Sequence, residues 1–147
     1  MECFICQKHR GNAIVPGGAV YEDDLVYIGH RGFGDEPGHL GYMMIDIKRH
    51  ANGLGDLTDD EAAAVGIWTN RVSEALKIVA DAEHVYAYVH GDAVPHFHMH
   101  IVPRYAEAPD AHRNPMTAAA WDGAPRGGPQ QIEAICKQIR ERLRRFA

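Results

Sequence analysis

Residues 94–105, VPHFHMHIVPRY, set three imidazoles at alternate positions, with Phe97, Met99 and Ile101 interleaved after His96, His98 and His100. On a strand, successive side chains point to opposite faces, so the histidines share one face and the apolar residues the other. On a helix the same residues scatter around the axis and the alternation has no use. The spacing predicts a strand with one face buried and a row of imidazoles on the other. Histidine titrates near neutral pH and serves as nucleophile, general acid or base, or metal ligand. The plain alternative is a solvated row on an exposed sheet. Three repeats of an uncommon strand residue favour chemistry over it.

A second chemical signal is the C-x-x-C of Cys3 and Cys6. A close thiolate pair completed by distant imidazoles is a common plan of tetrahedral zinc sites. A thioredoxin-type redox motif needs a preceding strand, and little chain precedes Cys3 to supply one. The 10 histidines of the chain offer the remaining ligands. Spacing alone leaves open which two would complete the site.

The elements that must position these residues read as strands with two helices. Short strands are expected at Ala19–Tyr21 and Leu25–Ile28 around an acidic turn at 22–24, and GYMMIDIKRH returns as another after a glycine-rich loop. The clearest helix follows Thr58, which forms a capping box with Glu61; Val65, Trp68, Val72, Leu76 and Val79 recur at helical spacing and are assigned to the core. HVYAYVHG is a strand that DAVP joins to the histidine strand. After a loop rich in Pro, Gly and Ala, a last helix from about Pro129 to Arg145 carries Ile132, Ile135, Ile139 and Leu143 as its apolar stripe. Neighbouring strands plus two helices predict a single α+β domain with an antiparallel sheet of about five strands.

Composition narrows the function classes. The chain has 147 residues and a net charge of −5, which argues against nucleic-acid or membrane-surface partners. The cations near the end, Lys137 to Arg145, are expected to complement a helix C-terminus. No apolar run is long enough to cross a bilayer, and three cysteines point to a reducing, cytoplasmic setting.

HFHMHIV resembles the His-φ-His-φ-His-φ-φ signature, φ being apolar, of the histidine triad (HIT) family of nucleotide hydrolases and transferases. CFIC, VYEDD, GYMMIDIKRHANGLGDLTDDE and PRY extend the resemblance over about residues 3–105. The resemblance implies a HIT-like fold, joined as a homodimer, and an attack on the α-phosphorus of a nucleotide by the middle histidine, His98. It assigns His100 to the phosphate or leaving atom, and places Phe4, His30 and Asp92 with His100 at the nucleotide. In the zinc-containing branch it implies a structural zinc on Cys3, Cys6, His50 and His96. The substrate would be a dinucleoside polyphosphate, nucleotide sugar or phosphoramidate. A phosphorylase and a non-catalytic nucleotide-binding module are the alternatives.

Against the family's usual pattern, Asp92 and Ala93 stand in place of Gln and Ser/Thr, and Ile47 in place of the Pro before K-x-H. Two further expectations concern single residues. Trp68 is a candidate anchor for the dimer, and Arg126, between glycines and prolines, is a candidate phosphate contact.

Overall fold

Five segments rich in β-branched and aromatic residues pair into one antiparallel sheet, in the order Ala19–Glu22, Val26–His30, Met43–Ile47, His98–Arg104, His84–Tyr88. They are β1 (Ala19–Glu22), β2 (Val26–His30), β4 (Met43–Ile47), β5 (His84–Tyr88) and β6 (His98–Arg104). The structure, a computed structural model, describes residues 2–32 and 34–146. A second, two-stranded ribbon joins β3 (Gly38–His39) to β7 (Arg126–Gly127). Three helices complete the chain: α1 (Phe4–His9), α2 (Asp59–Val79) and α3 (Pro129–Leu143). The expected α+β architecture is present, with α1 and the small ribbon added. Among the described residues no helix is long and apolar enough to cross a membrane.

Alternation in β6 decides which face is dry. Phe97 and Ile101 are wholly buried, and Met99 packs beside them against the helix layer. On that face α2 contributes Val65, Trp68, Val72 and Leu76, and α3 contributes Ile132, Cys136, Ile139 and Leu143. The capping box is present: Thr58 Oγ1 accepts from the Glu61 N–H at 3.1 Å, and Glu61 Oε1 accepts from the Thr58 N–H at 2.9 Å. Glu61 also receives Arg49 at 2.8 Å, which ties the turn carrying His50 to the start of α2. Trp68 stacks on Tyr21 with centroids 3.8 Å apart and is 5% exposed, so it anchors the core and not a dimer.

The other face holds the histidines, and here one expectation needs correcting. The regular strand begins at His98, with His96 just ahead of it. The His96 N–H turns back to the Val94 carbonyl at 2.9 Å, directly after Pro95, which has no N–H to pair. His98 and His100 lie opposite Asp46 and Met44 of β4, on one face, while the His96 ring is left aimed at α1.

A candidate metal cluster beside a histidine-lined cavity

The short helix α1 has Cys3 as its N-cap, whose sulfur accepts from the Cys6 N–H at 3.5 Å. One turn of helix therefore puts both thiols on one side. His50 arrives on the turn after β4, and His96 on the bend before β6. The ligand atoms of Cys3, Cys6, His50 and His96 all lie within 4.8 Å of one another. His96 Nδ1 is 3.4 Å from each sulfur and 3.1 Å from His50 Nδ1, and Cys6 Sγ is 3.4 Å from His50 Nδ1. Tetrahedral donors at zinc bond lengths sit about 3.3 Å (N to N) and about 3.6 Å (S to N) apart, so the cluster has the dimensions of such a site. The backbone supplies the orientation, because His96 Nε2–H donates to the Ile47 carbonyl at 2.6 Å and turns Nδ1 toward the sulfurs. Burial, joined by the adjacent Cys3, pushes the Cys6 thiol up. A bound cation reverses that preference and holds the thiolate.

The neighbouring cavity has a volume of about 380 Å³, at the small end of ligand pockets. Phe4 from α1, His30 from β2, Asp92 from the 91–95 loop, and His98 and His100 from β6 all line it. The structure thus gathers Phe4, His30, Asp92 and His100, the four residues the resemblance placed at the nucleotide, around one cavity with His98. His98 Nδ1–H donates to the carbonyl of His96 at 2.7 Å, which leaves Nε2 as the free nitrogen. His100 is held differently. Its Nδ1 lies 2.8 Å from the Tyr42 hydroxyl, that hydroxyl lies 3.0 Å from the one on Tyr88, and the Tyr88 ring stacks on the imidazole at 4.9 Å. Burial, followed by the nearby His98, lowers the His100 pKa to about 4, so the ring is neutral at pH 7.

His30 meets the cavity without a spare nitrogen. Its Nδ1–H donates to the Arg31 carbonyl at 2.6 Å and its Nε2 accepts from the Gly41 N–H at 2.9 Å. Burial lowers its pKa to about 4. The ring offers a ligand its face and carbon edge. Gly41 makes this possible: its φ is +89°, and a Cβ there would come within 2.9 Å of the Tyr105 hydroxyl. Arg126 is turned away, donating to the Ala119 carbonyl at 2.7 Å, and it takes no part in the cavity lining.

Four residues of this face were not singled out from the sequence: Lys8, Arg31, Tyr42 and Tyr88. Lys8 and Arg31 line the cavity, so its cations outnumber the Asp92 carboxylate. Asp46 is a fifth, and it alone carried a visible signal, a charge in the middle of the apolar MMIDI strand.

Fold and site together define a histidine-triad protein. The HIT domain family matches residues 13–107, and the chain belongs to this family. An uncharacterized HIT-like protein of Methanocaldococcus jannaschii is 30% identical over 108 residues, which cover 70% of this chain and 79% of the relative. A HIT-like protein involved in cell-cycle regulation from Bartonella henselae superposes with a TM-score of 0.72 at 19% identity, over 97% of this chain and 96% of its own. A zinc-bound histidine triad protein from Mycobacterium smegmatis gives a TM-score of 0.71 at 20% identity, over 99% and 96%.

Proposed function

We propose that the protein is a nucleotide hydrolase or nucleotidyl transferase that works at the α-phosphate through a covalent intermediate on His98. One observation carries the reading: His98 lines the cavity with its Nδ1–H tied to the His96 carbonyl at 2.7 Å, which makes Nε2 the lone-pair nitrogen of the neutral ring. The Nε2 lone pair attacks phosphorus, an N–P bond forms, and the bond from phosphorus to the leaving group (P–O, or P–N in a phosphoramidate) breaks with its electrons on that group. The carbonyl of His96 stabilises the positive charge that the ring acquires. Water or another acceptor then attacks phosphorus, the N–P electrons return to Nε2, and the acceptor's proton passes to solvent. With the Tyr42 hydroxyl on Nδ1, His100 carries its proton on Nε2 and donates to the phosphoryl oxygens or the leaving atom.

Zinc on Cys3, Cys6, His50 and His96 is structural in this reading, since four protein ligands leave no open position. Bound there, it would pin α1, with Phe4 in the cavity wall, to the bend that precedes the nucleophile. A homodimer joined along the sheet is part of the proposal. The β1 edge is occupied by Arg140 of α3, which donates to the carbonyls of Gly17 and Ala19 at 2.8 and 3.1 Å. Among the described residues β5 has no strand on its outer edge, and α2 exposes Ile67 and Ile78. The thiols and the metal set fit a reducing, cytoplasmic setting.

The test is turnover of dinucleoside polyphosphates, nucleotide sugars and nucleoside phosphoramidates, with and without inorganic phosphate. Release of nucleoside monophosphate supports the proposal. Phosphate-dependent release of a nucleoside diphosphate selects the phosphorylase. Binding with no turnover of any substrate contradicts the enzymatic reading.

A further inference from the structure

The covalent mechanism leaves one buried charge cluster unused. Asp46 is 0% exposed and lies in β4 directly opposite His98. Its Oδ2 receives Lys8 Nζ at 2.6 Å and His9 Nε2 at 3.1 Å, while its Oδ1 has no hydrogen-bond partner among the described residues. The Lys8 side chain is 9% exposed, and the residue lines the cavity together with His98 and His100. A buried carboxylate with a bare oxygen is costly, and an apolar pair would satisfy this position at least as well for stability alone. An ammonium carries three N–H donors. Asp46 takes one, and the Tyr27 ring lies 5.0 Å below the nitrogen.

Resting on the nucleotide reading above, we propose that Lys8 is a substrate-binding cation, held at the cavity wall by Asp46, that contacts the phosphate of the bound nucleotide. Cross-strand partners on one face have Cβ atoms about 5 Å apart. The carboxylate that grips Lys8 is therefore a neighbour of the nucleophile, and the ammonium is carried to the same place. There it offsets the negative charge that gathers on the non-bridging oxygens as the N–P bond forms. Asp46 is the positioning residue: it fixes a long, flexible side chain before substrate arrives, so little freedom is lost on binding. The same carboxylate holds His9, so one group aligns α1 on the sheet independently of the metal cluster. The substrate class this favours carries its negative charge beside His98, with the nucleoside toward Phe4 and Val15.

The experiment is calorimetric titration of the metal-loaded protein with AMP and GMP, each compared with its own nucleoside. Wild type should bind at least one nucleotide tenfold or more tightly than the nucleoside. Lys8→Met should lower that ratio at least tenfold while leaving nucleoside affinity within twofold, and Lys8→Arg should restore most of it. Lys8→Met strands a buried carboxylate, so Lys8→Met/Asp46→Asn is measured beside it, keeping the bond to His9 without the unpaired charge. A folded, metal-retaining double variant with an unchanged ratio overturns the role of Lys8 and leaves the nucleotide reading standing. Wild type that binds neither nucleotide nor nucleoside overturns that reading and the Lys8 proposal with it.

Discussion

His96 and His98 stand two residues apart, and each gives one ring N–H to a backbone carbonyl, yet they are set to opposite tasks. His96 donates from Nε2 to Ile47 and faces the thiols with Nδ1. His98 donates from Nδ1 to His96 and faces the cavity with Nε2. The difference is one of backbone: His96 sits on the bend after Pro95, and His98 in the regular strand. In the proposed function, two copies of one side chain would serve as a metal ligand and a nucleophile because the carbonyl each meets fixes the tautomer. The carbonyl that orients His98 belongs to His96, so the cluster also sets the position of the chemistry.

Removing each histidine should separate the two tasks. His98→Ala is expected to lower turnover by about a thousandfold or more, the scale of losing a nucleophile, with metal content and melting temperature unchanged. Steady-state kinetics beside elemental analysis checks this, and metal lost from His98→Ala would merge the two sites into one. His96→Ala and Cys3→Ser should do the reverse first. They should lose the metal and several kcal/mol of stability, seen as loss of bound zinc and a fall in denaturant midpoint.

Acid should break the comparison at a third point, the neutral ring of His100. Its pKa is about 4 in the folded protein, below the ordinary 6.5 of the unfolded chain. The unfolded state takes up a proton first as pH falls, so stability present above pH 6.5 is lost progressively toward pH 4. His30, lowered likewise, adds to the slope. Urea unfolding at pH 7.5 and pH 5 measures the loss, and His100→Gln should flatten it. The smallest effect is expected from Tyr42→Phe. It removes one hydroxyl from His100 and should slow turnover about tenfold, the scale of one hydrogen bond, with little change in substrate affinity.

Much of this was legible in the chain, for reasons that differ by residue. The alternation told correctly that His98 and His100 share a face, because a period of two has only one reading within a strand, while His96, on the bend after Pro95, fell outside it. Thr58 and Glu61 marked the start of α2 through local chemistry that tertiary contacts do not override. Helix α1 was not legible, since six residues are too few for periodicity and isolated short helices are marginal. It is held by contacts to Asp46 and by the position of its cysteines. The ribbon of β3 and β7 has two residues a side and no pattern to read. Tyr88 reaches His100 through the pairing of β5 with β6, and Tyr42 reaches it by a side-chain hydrogen bond from just before β4, at separations that no local pattern shows. Trp68, also offered as a dimer anchor, and Arg126, offered as a phosphate contact, each have a partner inside the chain: Tyr21 for one, the Ala119 carbonyl for the other.

The central claim, that His98 Nε2 bonds to phosphorus, is tested most directly by a rapid alkaline quench of the protein with substrate labelled at the α-phosphorus. Wild type should carry label on the denatured chain within one turnover, as an alkali-stable and acid-labile adduct that maps to His98. His98→Ala should carry none. Wild type that turns over its substrate with no label on the chain at any time would contradict the covalent mechanism and leave His98 as a base acting on water.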